Sequence, residues 1–237
     1  KPVDGEELLL LLRLLIERTP WDMDAWLELA RSYPAGSPAR EDVYRSLIER
    51  QADNAHAHVL HARHIQESQG LPAALALLQE QIDAGQDEAV LLAGMSELNL
   101  LAQRPLDAAN QTRLLREKYP EHPATRLAIA REQIRERDLA TAIHTLHELV
   151  ELQDSPEAQL LLARAESLNG NHAEALAAIT RSLRMTSGFG MEARRLEVRI
   201  LHDSGDHEGV INKLAAIDRV VDLTAAEIQM LATARYE

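Results

Sequence analysis

Five arginines stand in a similar apolar context at recurring intervals: Arg31, Arg63, Arg131, Arg164 and Arg199. A guanidinium is a planar fork of donors that grips a carboxylate through two parallel hydrogen bonds, so a row of them is suited to acidic groups on a partner. A second group of candidates is His56, His58, His61 and His64, whose spacings bring imidazoles together on one helix. Zinc would need three or four such ligands to converge. His58 and His61 instead fall at positions that pack against neighbouring helices, which favours packed histidines or groove contacts. His144 and His147 read as members of a solvated face. No glycine-rich phosphate loop, serine elbow or cysteine nucleophile occurs, and the chain has no Cys at all. We therefore expect no enzymatic activity, no cofactor, and neither disulfides nor a thiolate metal site.

These side chains need a scaffold, and the composition says which kind. Leu and Ala dominate the 237 residues, Gly and Pro are sparse, and aromatic residues make up 3%. That is the profile of a helical protein. With 46% apolar residues the net charge of −13 must be carried on the outside of a folded body rather than on a disordered acidic tail. The acidic balance also argues against nucleic acid as a partner, since phosphates require clustered Lys and Arg. The longest apolar run, Leu8 to Ile16, is broken by Arg13 and reaches about half of the roughly 20 residues that a membrane span needs. It reads as a buried helix face.

Internal repetition sets the architecture. Pro156 to Ser187 reads as helix, Asn169-Gly170-Asn171 turn, and second helix, with Ala175, Ile179 and Ser182 on one face. Shifted by 33 residues, Ile129-Ala130-Arg131 overlies Leu162-Ala163-Arg164, and Ala142 overlies Ala175. His61-Ala62-Arg63 with Ala74 repeats the pattern, and so does Trp26 with Leu29-Ala30-Arg31 and Tyr33. The reading gives a half-unit at 1–20, hairpins at about 23–54, 55–87, 88–120, 123–154, 156–187 and 190–221, and a final helix at 224–237. The third hairpin matches poorly, with Ala93-Gly94 some three residues early relative to Ala109. In the sixth, Val198 and Val210 take the small-residue places. Ser187-Gly188-Phe189-Gly190 reads as a longer turn between hairpins, and Thr224 with Glu227 as a reciprocal helix cap. The chain opens and closes mid-unit, from which we expect a fragment of a longer protein.

The pattern resembles the tetratricopeptide family, most fully in Asp24-Ala25-Trp26, Leu29-Ala30 and Tyr33, with Pro20 and Pro120 at unit boundaries. That resemblance implies an all-α, right-handed superhelical solenoid of helical hairpins that binds other proteins. At about 100° per residue the arginine register lies nearly opposite the Trp26, Leu29, Ala30 and Tyr33 stripe, so it should face solvent. In the family the first helices line the concave groove, which would make the arginines a ladder of partner-binding groups. The alternative is structural: Glu88, Glu157 and Glu192 open the hairpins that follow Arg63, Arg131 and Arg164, and each could pair with its arginine.

Degenerate units, high Ala and Leu content and an acidic exterior further resemble bacterial envelope members of the family, in particular the periplasmic repeat regions of outer-membrane exopolysaccharide exporters. This implies a periplasmic location, connection to the membrane only through flanking regions, and recruitment of a polysaccharide deacetylase/hydrolase. An acidic surface would also attract a cationic polysaccharide. The other reading is a cytoplasmic adaptor or chaperone cofactor that captures acidic or C-terminal peptides. The Asn and Lys pattern of the family's carboxylate clamp is missing, since arginine takes the place of asparagine.

Overall fold

The computed structural model describes residues 5–34, 36–185, 190–218 and 223–236. They form fourteen α-helices with no strand among the described residues: α1 (Gly5–Arg18), α2 (Met23–Arg31), α3 (Pro38–Arg50), α4 (Ala55–Gln69), α5 (Leu71–Asp83), α6 (Glu88–Leu101), α7 (Pro105–Lys118), α8 (Pro123–Glu136), α9 (Leu139–Leu152), α10 (Pro156–Leu168), α11 (His172–Met185), α12 (Met191–Asp203), α13 (His207–Ile217) and α14 (Ala225–Tyr236). Each helix packs on the next, and the even-numbered helices from α4 to α12 also pack on one another in sequence. The result is an all-α superhelical solenoid. No helix is long and apolar enough to cross a membrane among the described residues. Residues 186–189, which hold most of the turn expected at 187–190, lie outside the described residues.

Helix starts follow from local chemistry. Asp22, Ser37, Asn54, Asp87, Asp138, Ser155 and Asp206 each accept a backbone N–H of the helix they precede, satisfying donors that a helix leaves unpaired. Pro38, Pro105, Pro123 and Pro156 stand in the first turn, where a missing N–H costs nothing. The turn between α10 and α11 needs a left-handed residue and has Gly170 at φ 85°. Arg137 holds the same conformation in the turn from α8 to α9 at φ 66°.

Close packing of paired helices rests on small residues. Ala62 and Ala74, Ala130 and Ala142, Ala163 and Ala175, and Val198 and Val210 are fully buried, each pair twelve residues apart across a hairpin. The third hairpin obeys the same rule with Ser96 and Ala108: the Ser96 hydroxyl lies 3.2 Å from the Ala108 carbonyl, and both residues are buried. This corrects the sequence alignment on Ala93-Gly94 and Ala109. Helix α6 is buried on nearly every side, so periodicity gave no face to count from. Gly94 has a separate role. A Cβ there would come within 2.6 Å of Val59 Cγ2, so the glycine lets α4 and α6 approach.

Candidate functional site

The candidate site is the seam where the even-numbered helices meet. Each register arginine follows a buried small or Val residue: Ala30-Arg31, Ala62-Arg63, Ala130-Arg131, Ala163-Arg164 and Val198-Arg199. In the third hairpin Ser96 is followed by Glu97, an acid in the arginine position. Its two carboxylate oxygens are divided between neighbours: Oε1 accepts from Arg63, and Oε2 lies 3.3 Å from Arg131 Nη2. Arg131 also donates to Glu157 of α10. Arg164 reaches Glu192 of α12 at 3.4 Å. Arg31 stays on its own helix, 3.0 Å from Glu28, and Arg199 is exposed.

The five arginines are therefore not equivalent. The side chain of Arg131 is only 16% exposed, and that of Arg164 is 46% exposed. Solvent exposure, expected for the whole register, fails at Arg131 because α6 and α10 cover it from both sides. Burial opposes its positive charge, but Glu97 and Glu157 outweigh that and hold the guanidinium pKa above its ordinary value. Glu157 shows the mirror image. Its packed surroundings disfavour the carboxylate, yet Arg131, with Arg63 and His56 behind it, keeps the pKa below the usual range. Glu157 and Glu192 pair across to the preceding hairpin, whereas Glu88 bonds Lys118 Nζ at 2.7 Å and Tyr119 Oη at 2.6 Å.

Charges also act across the groove. Asp24 of α2 has a pKa raised first by burial and then by Asp22, with Glu192 of α12 adding to the effect. Glu28 is raised chiefly by burial, against which Arg31 and Arg195 of α12 work. Both of these minor influences come to α2 from α12, the first helix of the sixth hairpin.

The histidines do not converge. His58 is buried, with Nε2 2.9 Å from the Ala52 carbonyl. His61 and His64 share Glu41, at 3.3 and 3.1 Å, and both rings stack on Tyr44. Burial holds the His61 pKa below that of a free imidazole, against the pull of Glu41. His144 and His147 are exposed and face Glu148 and Glu166 at 3.4 and 3.7 Å. Among the described residues no group of three or more His, Asp or Glu is placed to hold a metal ion.

The overall arrangement of helices is shared with known solved structures. The solved structure of the hetero-tetrameric APC/C assembly Cut9-Hcn1 superposes on 98% of the chain with a TM-score of 0.63 at 13% identity, and the chain spans 46% of its length. A tetratricopeptide repeat protein from Parabacteroides merdae superposes on 98% of the chain, over 94% of its own length, with a TM-score of 0.60 at 14% identity. A thermophilic protein of the same kind from Thermus thermophilus gives 0.53 over 84% of the chain at 15% identity, spanning 99% of its own length. The fold is that of the tetratricopeptide superhelix. No protein-family model and no curated protein sequence matches the chain.

Within the tetratricopeptide superhelix, the first helices form the seam just described, and its central part is neutralised from inside. Sequence reading missed Glu97 because Ser96 stood in for alanine and hid the register. It also missed the effect of Glu192 on Asp24, which links hairpins far apart in the chain and has no local signature.

Proposed function

We propose that the chain is a non-enzymatic scaffold that holds another protein against the seam of its even-numbered helices. The observation that carries this is the uneven neutralisation of the arginine register. Arg63 and Arg131 are tied to Glu97 and Glu157, whereas Arg199 is exposed and Arg31 and Arg164 are half-exposed. Charged groups left accessible along an extended surface are available to carboxylates of a partner. One of the structures of similar fold is itself a complex of two different proteins.

The finer reading follows the envelope resemblance: a periplasmic repeat region of a PelB-like exopolysaccharide exporter that recruits a PelA-like deacetylase/hydrolase. The net charge of −13 suits a nearby cationic, partly deacetylated polymer. The test is affinity capture from bacterial envelope extract with wild type and the Arg164→Glu, Arg199→Glu variant. Recovery of one periplasmic enzyme by wild type and its loss in the variant is the expected result. Equal recovery by both would remove the arginines from the interface. A cytoplasmic adaptor would instead bind short peptides through a free terminal carboxylate and lose them on amidation.

A further inference from the structure

A second surface lies away from the seam, where α1 and α3 stand apart over α2. Between them a groove of about 370 Å³ opens, floored by Trp26, Leu29 and Tyr33 and walled by Ile16 and Val43. Beside the rim residues Asp42 and Arg50, α3 presents the smaller Ala39, Val43 and Ser46 to the groove, which leaves space that a larger side chain would fill. The indole N–H of Trp26 is already bonded to the Pro20 carbonyl at 2.8 Å, so this floor residue, itself 3% exposed, offers the groove no free donor. Such a volume stands at the low end of the roughly 300 to 1,000 Å³ typical of binding sites. It would take one large apolar side chain together with part of its backbone.

The rim supplies the charge. Arg13 and Arg50 both line the groove and are exposed, and neither has a carboxylate partner among the described residues. Arg13 Nη2 donates to the Tyr33 hydroxyl at 2.8 Å, and the Arg50 guanidinium sits 5.9 Å from the centre of the Trp26 ring. In a chain with 38 acidic and 25 basic residues, this groove is bracketed by two guanidiniums, one from α1 and one from α3. Of the rim acids, Asp42 is taken by Arg45 at 3.2 Å, which leaves Glu17 against two cations.

We infer that this groove docks a segment of a partner protein in which an aromatic or branched apolar side chain is flanked by separated carboxylates. The apolar side chain lies over Trp26 and Leu29, and the carboxylates reach Arg13 and Arg50. Glu17, one turn along α1 from Arg13, disfavours a continuous acidic run, so a polyglutamate tail is a poor occupant. The inference rests on the scaffold reading but uses a different face of the solenoid.

The experiment is selection of random peptides displayed on phage against the full chain, followed by fluorescence polarisation of the enriched peptides. Wild type is compared with Arg13→Glu, Arg50→Glu, with the groove-filling Ser46→Phe, and with the seam variant Arg164→Glu, Arg199→Glu, each checked for an unchanged helical melt. Enriched peptides should carry an apolar residue between acids and bind about tenfold more weakly to both groove variants, a loss on the scale of one charge-assisted contact, and equally well to the seam variant. Absence of enrichment, or peptides indifferent to both groove variants, would overturn the inference. So would self-association of wild type that the groove variants abolish in analytical ultracentrifugation, since the occupant would then be a second copy. A partner captured by the groove variants but not by the seam variant would leave the scaffold reading standing without this site.

Discussion

Glu97 divides its carboxylate between Arg63 and Arg131, and it does so from the one place in the first-helix register where a hairpin carries an acid instead of arginine or valine-flanked arginine. Three consecutive arginines would repel along the seam. The single acid converts that stretch into an alternating row that continues through Arg131 to Glu157.

Replacing Glu97 by Gln should therefore destabilise the centre of the array by about 2 kcal/mol, the range for a charged hydrogen-bond partner removed from a largely buried site. For a chain of this length that lowers the melting temperature by about 4 to 8 °C. Glu97→Arg restores the repeat pattern yet should be worse, because like charges then face each other on both sides. Added salt should recover more of the loss in the Arg variant than in the Gln variant. A thermal melt of Glu97→Arg equal to wild type would show that the row contributes nothing.

Gly94 tests the contact between α4 and α6. Alanine is intrinsically better in a helix by about 1 kcal/mol, but the added Cβ would stand 2.6 Å from Val59 Cγ2, and overpacking of that kind costs about 1 to 3 kcal/mol. Gly94→Ala should lower the urea midpoint. Combined with Val59→Ala, which frees the space, it should cost less than the two changes added together. Strict additivity would mean that α4 and α6 adjust freely.

Much of this architecture could be read from the residues, and the reasons are specific. Ala62, Ala130 and Ala163 mark the register because a small buried residue is followed by arginine each time, and Ser155-Pro156 and Thr224 announce helix starts through side chains that satisfy backbone donors. The register broke at Ser96, where a hydroxyl is buried by bonding the Ala108 carbonyl, a solution that composition cannot distinguish from a solvated serine. The state of the arginines was legible only in part. Pairing of Arg131 with Glu157 and of Arg164 with Glu192 follows from their places in adjoining hairpins. The diversion of Glu88 to Lys118 and Tyr119 depends on where α7 ends beside α6.

Asp24 gives a pH signature. Its folded-state pKa is raised above 3.8 by burial and by Asp22 and Glu192. A carboxyl raised in this way favours the fold when protonated: its contribution is complete below the unfolded value and is lost as pH rises through the folded one. Asp24→Asn should therefore be more stable than wild type at pH 7, and the gap should close as pH falls towards 3.8. Melting temperatures of both proteins over that range decide it, and a gap that widens on acidification would reverse the assigned direction.

Glu227 should show the opposite slope. Its carboxylate accepts from the Thr224 amide and hydroxyl, both at 2.7 Å, while its own N–H donates to Thr224 Oγ1 at 3.3 Å, and Arg195 of α12 pairs with it at 3.0 Å. Burial works against the charge, but Thr224 and Arg195 outweigh it and hold the pKa below 4.5. The resulting stability is full above the unfolded value and is lost as pH falls through the folded one. Glu227→Gln should cost about 1 kcal/mol at pH 7, in the range of a lost helix cap. Hydrogen exchange should accelerate first at the amides of α14, and the difference from wild type should shrink only below pH 4.5. Equal protection of α14 in both proteins at neutral pH would mean that packing against α13, rather than the cap and Arg195, holds the last helix in place.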